Sequence, residues 1–384
     1  MDFELTKQQR LLGKMVAEFA DKEVAPRARE YDEAEEFPGD LVEKMYDLGL
    51  MGMMVPEEYG GGGTDTISYC IAMEEINRAD ASLGAIMSVN NSLVCDPILR
   101  YGTEEQKDYY LPRLTEGKWL GAYALTEPWS GSDAGAMRST ARLEGDEWVL
   151  NGQKIFVTNA WHAQVIVTYA KTDVEAPRSR GITAFIIPTD APGFHKVRKE
   201  KKMGIRATDT TALAFEDCRI PRENLLGKVD EGFRVALSTL DGGRIGIATQ
   251  ALGIARGAYE ASLSYAKERE QFDQPIAKFQ AIQWKLSDMA TEIDAARLLI
   301  YRAAHLRDRG SSYTKEASMA KLFASDLAVR ASREAVQIYG GYGYLRDFPV
   351  ERLYRDAKIT EIYEGTSEIQ RMVIARQLLK DYQP

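Results

Sequence analysis

One glutamate near the C-terminus, Glu364, has a local sequence suited to a catalytic base. Apolar residues at helical spacing precede it over residues 350–357, and Gly365 is the residue type that often ends a helix in a left-handed conformation. Ser367 and Gln370 have capping-box spacing and predict a new helix at once. The dipole of the preceding helix would raise the pKa of the Glu364 carboxyl, which suits a base. An exposed glutamate in a loop could have the same local sequence. The choice between a catalytic base and a loop residue therefore depends on the other segments of the chain.

Three further segments combine residue types that could bind a cofactor. Residues 122–135 carry small side chains and hydroxyls that suit a planar ring, although a polar loop leaving a strand would look the same. Residues 269–280 offer an arginine for phosphate and an aromatic face, or else a helix connection with Phe272 and Phe279 in the core. The glycines of residues 340–343 follow a helix and not a strand. They therefore form no Rossmann fingerprint, and could serve a pyrophosphate or simply end the helix.

Composition narrows the class of protein. The 384 residues are 45% hydrophobic and 28% charged with a net charge of −9, which is ordinary for a globular protein and argues against nucleic-acid binding. No run of about 18 apolar residues and no signal segment is visible, so we expect no membrane association and a cytoplasmic location. The three cysteines and three histidines lack ligand spacing, which predicts no metal site and leaves acid–base chemistry to carboxylates.

Hydrophobic periodicity divides the chain into three parts and predicts a mostly helical α+β fold. Residues 1–120 read as an all-helical domain, residues 121–228 as an antiparallel, barrel-like β domain, and residues 229–384 as a four-helix bundle that carries Glu364. Long helices are predicted over 232–267, 279–308 and 314–339. Asn151 and Gly152 predict a tight hairpin between two short strands.

The order and spacing of these segments resemble the acyl-CoA dehydrogenases over the whole chain. Residues 124–136 fit the first signature of that family and residues 337–356 fit the second, which includes Gly343, Asp347, Arg352 and Asp356. Segments 87–93, 239–248 and 359–370 are most similar to the short-chain (butyryl) members. The resemblance implies the three-part fold of that family.

The resemblance also implies roles for the site residues. Glu364 matches the base that removes the pro-R α-proton. The isovaleryl and long-chain branch has its base at the position of Gly243, which cannot act as one. For the acyl-CoA, the matching positions are Ser132, Asp241, Gly243, Arg244 and Gly365.

The cofactor implied by the resemblance is FAD. Phe156 stands where many relatives have tryptophan against the flavin ring, and Gln337 with its following glycines matches a contact made from a neighbouring subunit. At least a dimer, and by family expectation a homotetramer, is therefore implied. The matching FAD positions are Tyr123, Leu125, Thr126, Ser132, Phe156, Thr158, Arg269, Phe272, Gln280, Gln337, Gly340, Gly341, Thr366 and Glu368.

The implied reaction is FAD-dependent α,β-dehydrogenation of a short acyl-CoA, similar to butyryl-CoA, to the trans-2-enoyl-CoA. The implied electron acceptor is an electron-transferring flavoprotein. A dicarboxylate is disfavoured, because members that use glutaryl-CoA carry an arginine where this chain has Gly84. Branched or cyclic short acyl groups stay open, as do an oxidase and a catalytically silent helical scaffold with the same fold. One methylene changes binding by only about 1–3 kcal/mol, so no motif selects the acyl group.

Overall fold

The first part of the chain is helical, as predicted. The structure, a computed structural model, describes residues 4–381. Thr6 begins the first helix through a capping box with Gln9. Segments of π-helix at Ala20–Val24 and Val89–Cys95 continue two of the helices without a break. The α-helices here are α1 (Lys7–Phe19), α2 (Ala28–Ala34), α3 (Gly39–Asp47), α4 (Thr66–Ala79), α5 (Ala81–Ser88), α6 (Asp96–Tyr101) and α7 (Glu104–Thr115).

The middle part forms one eight-stranded sheet. Its strands are β1 (Gly121–Ala124), β2 (Thr140–Glu144), β3 (Glu147–Thr158), β4 (Val165–Lys171), β5 (Ile182–Pro188), β6 (Phe194–Lys199), β7 (Thr210–Pro221) and β8 (Leu225–Leu226). The order is β6-β7-β3-β2-β4-β5-β8, and β1 lies beside β4. Most pairs are antiparallel as predicted, but β1 and β2 both pair with β4 in parallel, which departs from a purely antiparallel domain.

The predicted hairpin at Asn151 and Gly152 is wrong. A single strand, β3, passes through both residues, and the turn lies earlier, between Glu144 and Glu147. Gly152 has φ 147°, and a Cβ there would stand 2.2 Å from Ser139 Oγ. The glycine therefore permits close approach of another segment, and the register with β7 shifts beside it.

The last part is a helical bundle, and its long helices begin and end within one residue of the predicted bounds. The elements are α8 (Gly232–Glu268), β9 (Glu270–Gln271), β10 (Gln274–Pro275), α9 (Gln280–Asp308), α10 (Thr314–Tyr339), α11 (Pro349–Ala357) and α12 (Ser367–Asp381). Helix α10 packs against α8, α9 and α12, which gives the four-helix arrangement.

Shared hydrophobic cores join the three parts. Met73 and Ile76 of α4 pack in one buried cluster with Leu252 of α8 and Leu327 of α10. Full burial of such a side chain contributes about 1.5–3 kcal/mol. Helices α4 and α8 approach closely because Gly253 has no side chain: a Cβ there would lie 2.6 Å from the Cβ of Asn77. A second cluster joins the N-terminal helices to β4 and β5.

Helix α11 ties the parts together through polar contacts. Arg352 Nη1 donates to Asp80 Oδ2 at 3.0 Å, and the backbone N–H of Ile205 donates to Asp356 Oδ1 at 2.5 Å. The first contact reaches the N-terminal helices and the second reaches the loop before β7. None of the helices within residues 4–381 has the length and hydrophobicity that a membrane crossing requires.

Candidate active site

Glu364 lies in a short loop with unusual backbone conformation. A 3-10 turn, Lys358–Glu361, follows α11, and Glu364 and Gly365 have φ of 53° and 94° before α12 begins. Gln370 Nε2 donates to the carbonyl oxygens of Glu364 and Gly365 at 3.2 and 2.8 Å. A left-handed non-glycine residue costs about 1–3 kcal/mol and persists only where the surroundings fix it. The loop is therefore held in place by Gln370.

The predicted capping box of α12 is not formed. The hydroxyl of Thr366 accepts a hydrogen bond from the backbone N–H of Ile369 at 3.4 Å, so Thr366 caps the helix. Ser367 Oγ is buried and has no hydrogen-bond partner where the structure describes the chain, and Gln370 donates to the preceding loop instead. The glutamine at capping-box spacing thus holds the Glu364 loop and not the helix start.

The carboxylate of Glu364 occupies a protected position. Its Oε2 atom is buried and has no hydrogen-bond partner within residues 4–381. A Cβ on Gly243 would lie only 2.1 Å from this oxygen and 2.9 Å from Leu93 Cδ2, so the carboxylate fills the space that a side chain at 243 would need. Burial raises the pKa of Glu364 to about 7, while Lys321 and Arg244 lower it. Helix α11 ends seven residues earlier, so burial, and not the helix dipole, accounts for the shift.

Helix α8 brings a polar cluster to the same place. Arg244, 4% exposed, donates from Nη1 to Asp241 Oδ1 at 2.6 Å, and Thr314 Oγ1 donates to Asp241 Oδ2 at 2.6 Å. Arg244 Nε is buried and has no hydrogen-bond partner in the described part of the chain, and burial raises the pKa of Asp241. The cluster therefore offers an unused cationic donor beside Glu364. Among the positions predicted for an acyl-CoA, Asp241, Gly243, Arg244 and Gly365 thus lie together.

Hydroxyl and amide groups line α8 beyond Gly243. A Cβ on Gly246 would lie 2.7 Å from Ser88 Oγ and 2.9 Å from Tyr69 OH, so these hydroxyls stand against the helix. Burial raises the pKa of Tyr69, and the Glu364 carboxylate contributes, which places Tyr69 near it. Further along, Gln250 accepts a hydrogen bond from the hydroxyl of Tyr363 and donates to the carbonyl of Ala81. Gln250 lies about 10 Å beyond Gly243 at 1.5 Å per residue.

The strands β1 and β3 present a separate surface. The backbone N–H of Ile155 donates to Thr126 O at 2.9 Å, which sets the segment after β1 beside Phe156. Phe156 has φ 58° and is 64% exposed, so its ring is free to contact a ligand. Tyr123 OH is buried and has no hydrogen-bond partner among residues 4–381. Burial raises its pKa most, followed by Tyr169 and then Glu364. This surface therefore adjoins the carboxylate. Leu125, Thr126 and Thr158 are half-buried there, and Ser132 is exposed.

A buried ion pair underlies this surface. Lys154 and Glu127 have fully buried side chains, with Lys154 Nζ 2.8 Å from Glu127 Oε1 and 3.3 Å from Leu125 O. Glu127 Oε2 also accepts from the backbone N–H of Arg138 at 2.6 Å. Glu127 lies within one of the segments that the sequence analysis singled out, and Lys154 lies beside a predicted strand, but neither is among the predicted site residues. The lysine within a strand of alternating pattern is the sequence signal that could have identified this ion pair.

A third group lies at the other end of the bundle. Phe272 and Asp273 form the two-residue turn between β9 and β10 with φ of 53° and 60°, and Phe272 is 87% exposed. The alternative that Phe272 packs in the core is therefore wrong. The guanidinium of Arg269 lies 5.6 Å from the ring centroid of Tyr342. The same end carries Gln280, Gln337, Gly340 and Gly341, and a Cβ on either glycine would meet open space.

The surfaces fit a large flavin nucleotide better than a metal. The exposed Phe156 ring and the nearby hydroxyls suit a planar ring, Thr366 and Glu368 begin α12 beside Glu364, and Arg269 with Phe272 suits a phosphate and an adenine. No group of three or more His, Cys, Asp or Glu side chains within residues 4–381 could hold a metal ion. Lys321 of α10 contacts the Glu364 loop at Gly365, and Gln337 lies 16 residues further along the same helix. The two ends of the surface are therefore about 24 Å apart along α10.

The chain matches three family models in succession. They are described as the N-terminal, middle and C-terminal domains of acyl-CoA dehydrogenase, and they cover residues 6–118, 122–218 and 230–379. The bovine protein named short-chain specific acyl-CoA dehydrogenase, mitochondrial (Bos taurus), is 52% identical over 379 residues, which is 99% of this chain and 92% of the relative.

Solved structures show the same fold. Butyryl-CoA dehydrogenase from Megasphaera elsdenii superposes with a TM-score of 0.97 at 45% identity, covering 99% of this chain and 100% of the other. A chain from work on the electron transferring flavoprotein of Acidaminococcus fermentans and flavin-based electron bifurcation gives a TM-score of 0.98 at 51% identity. That match covers 99% of this chain and 100% of the other.

Proposed function

Because the chain belongs to the acyl-CoA dehydrogenase family of FAD-dependent oxidoreductases, we propose that it dehydrogenates a short acyl-CoA, with butyryl-CoA as substrate, to the trans-2-enoyl-CoA. The observation that carries the proposal is the buried, unpartnered Oε2 of Glu364, with a pKa of about 7, beside the Asp241–Arg244 cluster. A carboxylate with this pKa is ionised in a useful fraction at neutral pH and can still take up a proton.

In this reaction Glu364 removes the α-proton of the thioester. Negative charge then develops on the thioester oxygen, and the backbone N–H of Glu364 donates to no other acceptor within residues 4–381. That N–H is free to stabilise the oxygen in a site from which water is excluded. Arg244 and Asp241 orient the coenzyme A portion. FAD, when bound along β1 and β3 near Phe156 and Thr158, supplies the acceptor for the β-hydride.

The space beside Glu364 favours a short acyl group. The hydroxyls of Tyr69 and Ser88 stand against α8 at Gly246, about 4.5 Å beyond Gly243, and Gln250 lies about 10 Å beyond it. At Gly84, a Cβ would lie 2.0 Å from the side chain of buried Asn77, so an arginine for a distal carboxylate cannot stand there without rearrangement. Linear C4 is our first choice, and a branched or cyclic acyl group of similar size is the alternative.

We further propose an electron-transferring flavoprotein as the acceptor of electrons and a homo-oligomer in the cytoplasm. The relative from the Acidaminococcus work on such a flavoprotein supports the acceptor. Met372, Leu378 and Leu379 of α12 are 56%, 49% and 77% exposed, which supports a covering subunit, a tetramer in our proposal. The free, buried Cys70, Cys95 and Cys218 fit a reducing compartment.

The test is an anaerobic titration of the purified flavoprotein with butyryl-CoA, followed by flavin absorbance, in wild type and in Glu364→Gln. We expect bleaching of the wild type and a rate at least about 10²–10⁴-fold lower in the variant, with flavin still bound. Bleaching only by a branched, cyclic or longer thioester would change the substrate. Absence of bleaching by every thioester, or equal bleaching of the variant, would contradict the function and the base.

A further inference from the structure

Lys321 is a lysine without exposed surface on helix α10. It stands in a stripe of buried small residues at helical spacing, between Ala317 and Ala324. Its Nζ donates to the carbonyl oxygen of Gly365 at 2.9 Å, next to Glu364. An ammonium taken out of water is costly unless a partner compensates, so a buried lysine at an apolar position requires an explanation.

The hydrogen-bond partner of Lys321 is the Gly365 carbonyl, and the neighbouring charge that most favours its ammonium is the Glu364 carboxylate. Burial lowers the pKa of Lys321 to about 8, and among the groups that oppose this, Glu364 has the largest effect, ahead of Glu361 and Asp326. Among the charged groups, Lys321 in turn lowers the pKa of Glu364 the most, and Arg244 lowers it less. The titratable and charged groups that face Glu364 from the packed elements are Lys321 of α10, Arg244 of α8, Tyr69 of α4, Tyr123 of β1 and the neighbouring Tyr363.

We propose that Lys321 is a positioning residue for the base: its ammonium fixes the Gly365 carbonyl, and its charge favours the ionised form of the Glu364 carboxylate. This inference rests on the proposed function of Glu364. Two donors, Lys321 and Gln370, share the Gly365 oxygen, so the orientation of that peptide is fixed from two helices. Of these donors only Lys321 also carries charge.

A purely structural role for Lys321 would require its hydrogen bond to Gly365 but not its positive charge. Burial drives the carboxylate of Glu364 towards its neutral form, and a neutral carboxyl cannot accept the α-proton. If the pKa rose by one unit from about 7, the ionised fraction at pH 7 would fall about fivefold. Arg244 also lowers the pKa of Glu364, but its effect is smaller than that of Lys321, and its charge is paired with Asp241 at 2.6 Å.

The experiment compares wild type, Lys321→Met and Lys321→Gln, with Lys14→Met as the control at an exposed lysine of α1. The second-order rate of flavin bleaching by butyryl-CoA is measured between pH 5.5 and 9.5 under anaerobic conditions. Circular dichroism and flavin absorbance establish that each variant is folded and loaded. We expect the acid limb of the profile to move up by about one unit in both Lys321 variants. The rate at pH 7 should then be about fivefold lower and should recover at high pH.

Each outcome separates the inference from the proposed function. Wild type that is not bleached by any thioester removes the function itself. Bleaching of the wild type together with an unmoved acid limb in a folded Lys321 variant overturns only the role of Lys321. Loss of fold or flavin in both Lys321 variants would assign the residue to the packing of α10 and would also overturn the inference. An acid limb that moves as far in Lys14→Met as in Lys321→Met would also overturn the inference.

Discussion

Two features of Glu364 lower the stability of the folded protein. Its backbone has φ 53°, and its Oε2 is buried without a partner. The left-handed backbone costs about 1–3 kcal/mol, and the buried carboxyl loses hydration. Gln370 and Lys321 hold the loop from two helices. Costs of this kind concentrate where a reactive group must be presented, so they agree with a base at this position.

The raised pKa of Glu364 predicts that removal of the charge stabilises the protein at high pH. The folded pKa of about 7 lies above the ordinary value of 4.5, so the folded state binds this proton more tightly than the unfolded state. Its contribution to stability is full below pH 4.5 and is lost as the pH rises through 7. Glu364→Gln should therefore melt a few degrees above wild type at pH 8.5 and at nearly the same temperature at pH 4.5.

Thermal melting followed by circular dichroism checks this, with both proteins equally loaded with flavin. The matched control is Glu33→Gln on the exposed face of α2. A variant that is less stable than wild type at pH 8.5 would contradict the prediction.

At the scale of single residues, the sequence located Glu364 but not its partners. A glutamate and glycine between two helical patterns are visible in a linear string. The contacts of Lys321 and Gln370 with this loop arise only when α10 and α12 pack together. The sequence also suggested the helix dipole as the cause of the raised pKa, whereas burial causes it, and burial depends on neighbours distant in the chain. The roles of Glu364 and of the other predicted site residues stay predictions.

At the scale of elements, helices could be predicted more closely than strands. The long bundle helices have continuous apolar stripes, and α8, α9 and α10 lie within one residue of their predicted bounds. In the sheet, Asn151 and Gly152 predicted a turn from local preference. There, however, Asn151 exchanges hydrogen bonds with Asp217 across the strands, and the chain stays extended. Tertiary pairing decided against the local preference.

Strand β3 depends on the buried pair of Lys154 and Glu127. Removing one partner of such a pair leaves an uncompensated buried charge at a cost of about 3–5 kcal/mol. Lys154 also holds the carbonyl of Leu125 beside the predicted flavin surface. We therefore expect Lys154→Met to lower the melting temperature and to release FAD, which absorbance after gel filtration measures.

The matched control is the double variant Glu127→Gln with Lys154→Met, which removes both charges. It should recover part of the lost stability, because no unpaired charge remains. A single variant that retains FAD and the melting temperature of wild type would show that the pair has no role in this surface.

At the scale of the whole molecule, the predicted FAD residues divide into two distant groups. One group surrounds β1, β3 and the start of α12, and the other lies about 24 Å away along α10, near Gln337 and Arg269. We predict that FAD spans two subunits of the proposed oligomer, each of which supplies one group. The sequence could predict both groups by resemblance, and the assembly stays a prediction.

A shared cofactor site predicts that FAD retention depends on protein concentration. If the flavin contacts two chains, dilution below the dissociation constant of the oligomer should release it, because binding and assembly are linked. Fluorescence of free flavin and light scattering, measured over the same dilution series, should change together. Adding free FAD should restore the oligomer. Flavin that stays bound to a monomer would contradict the two-chain site.

The contact between Gly243 and Glu364 also limits how the base could change its position during evolution. A side chain at 243 would have its Cβ 2.1 Å from the carboxylate oxygen, so the side chain of Glu364 would have to move to admit it. Transfer of the predicted base from loop to helix therefore couples the two positions, because a substitution at 243 displaces the carboxylate and a substitution at 364 removes it. Relatives that differ in this choice should differ at both positions together, and an engineered exchange should combine the two substitutions.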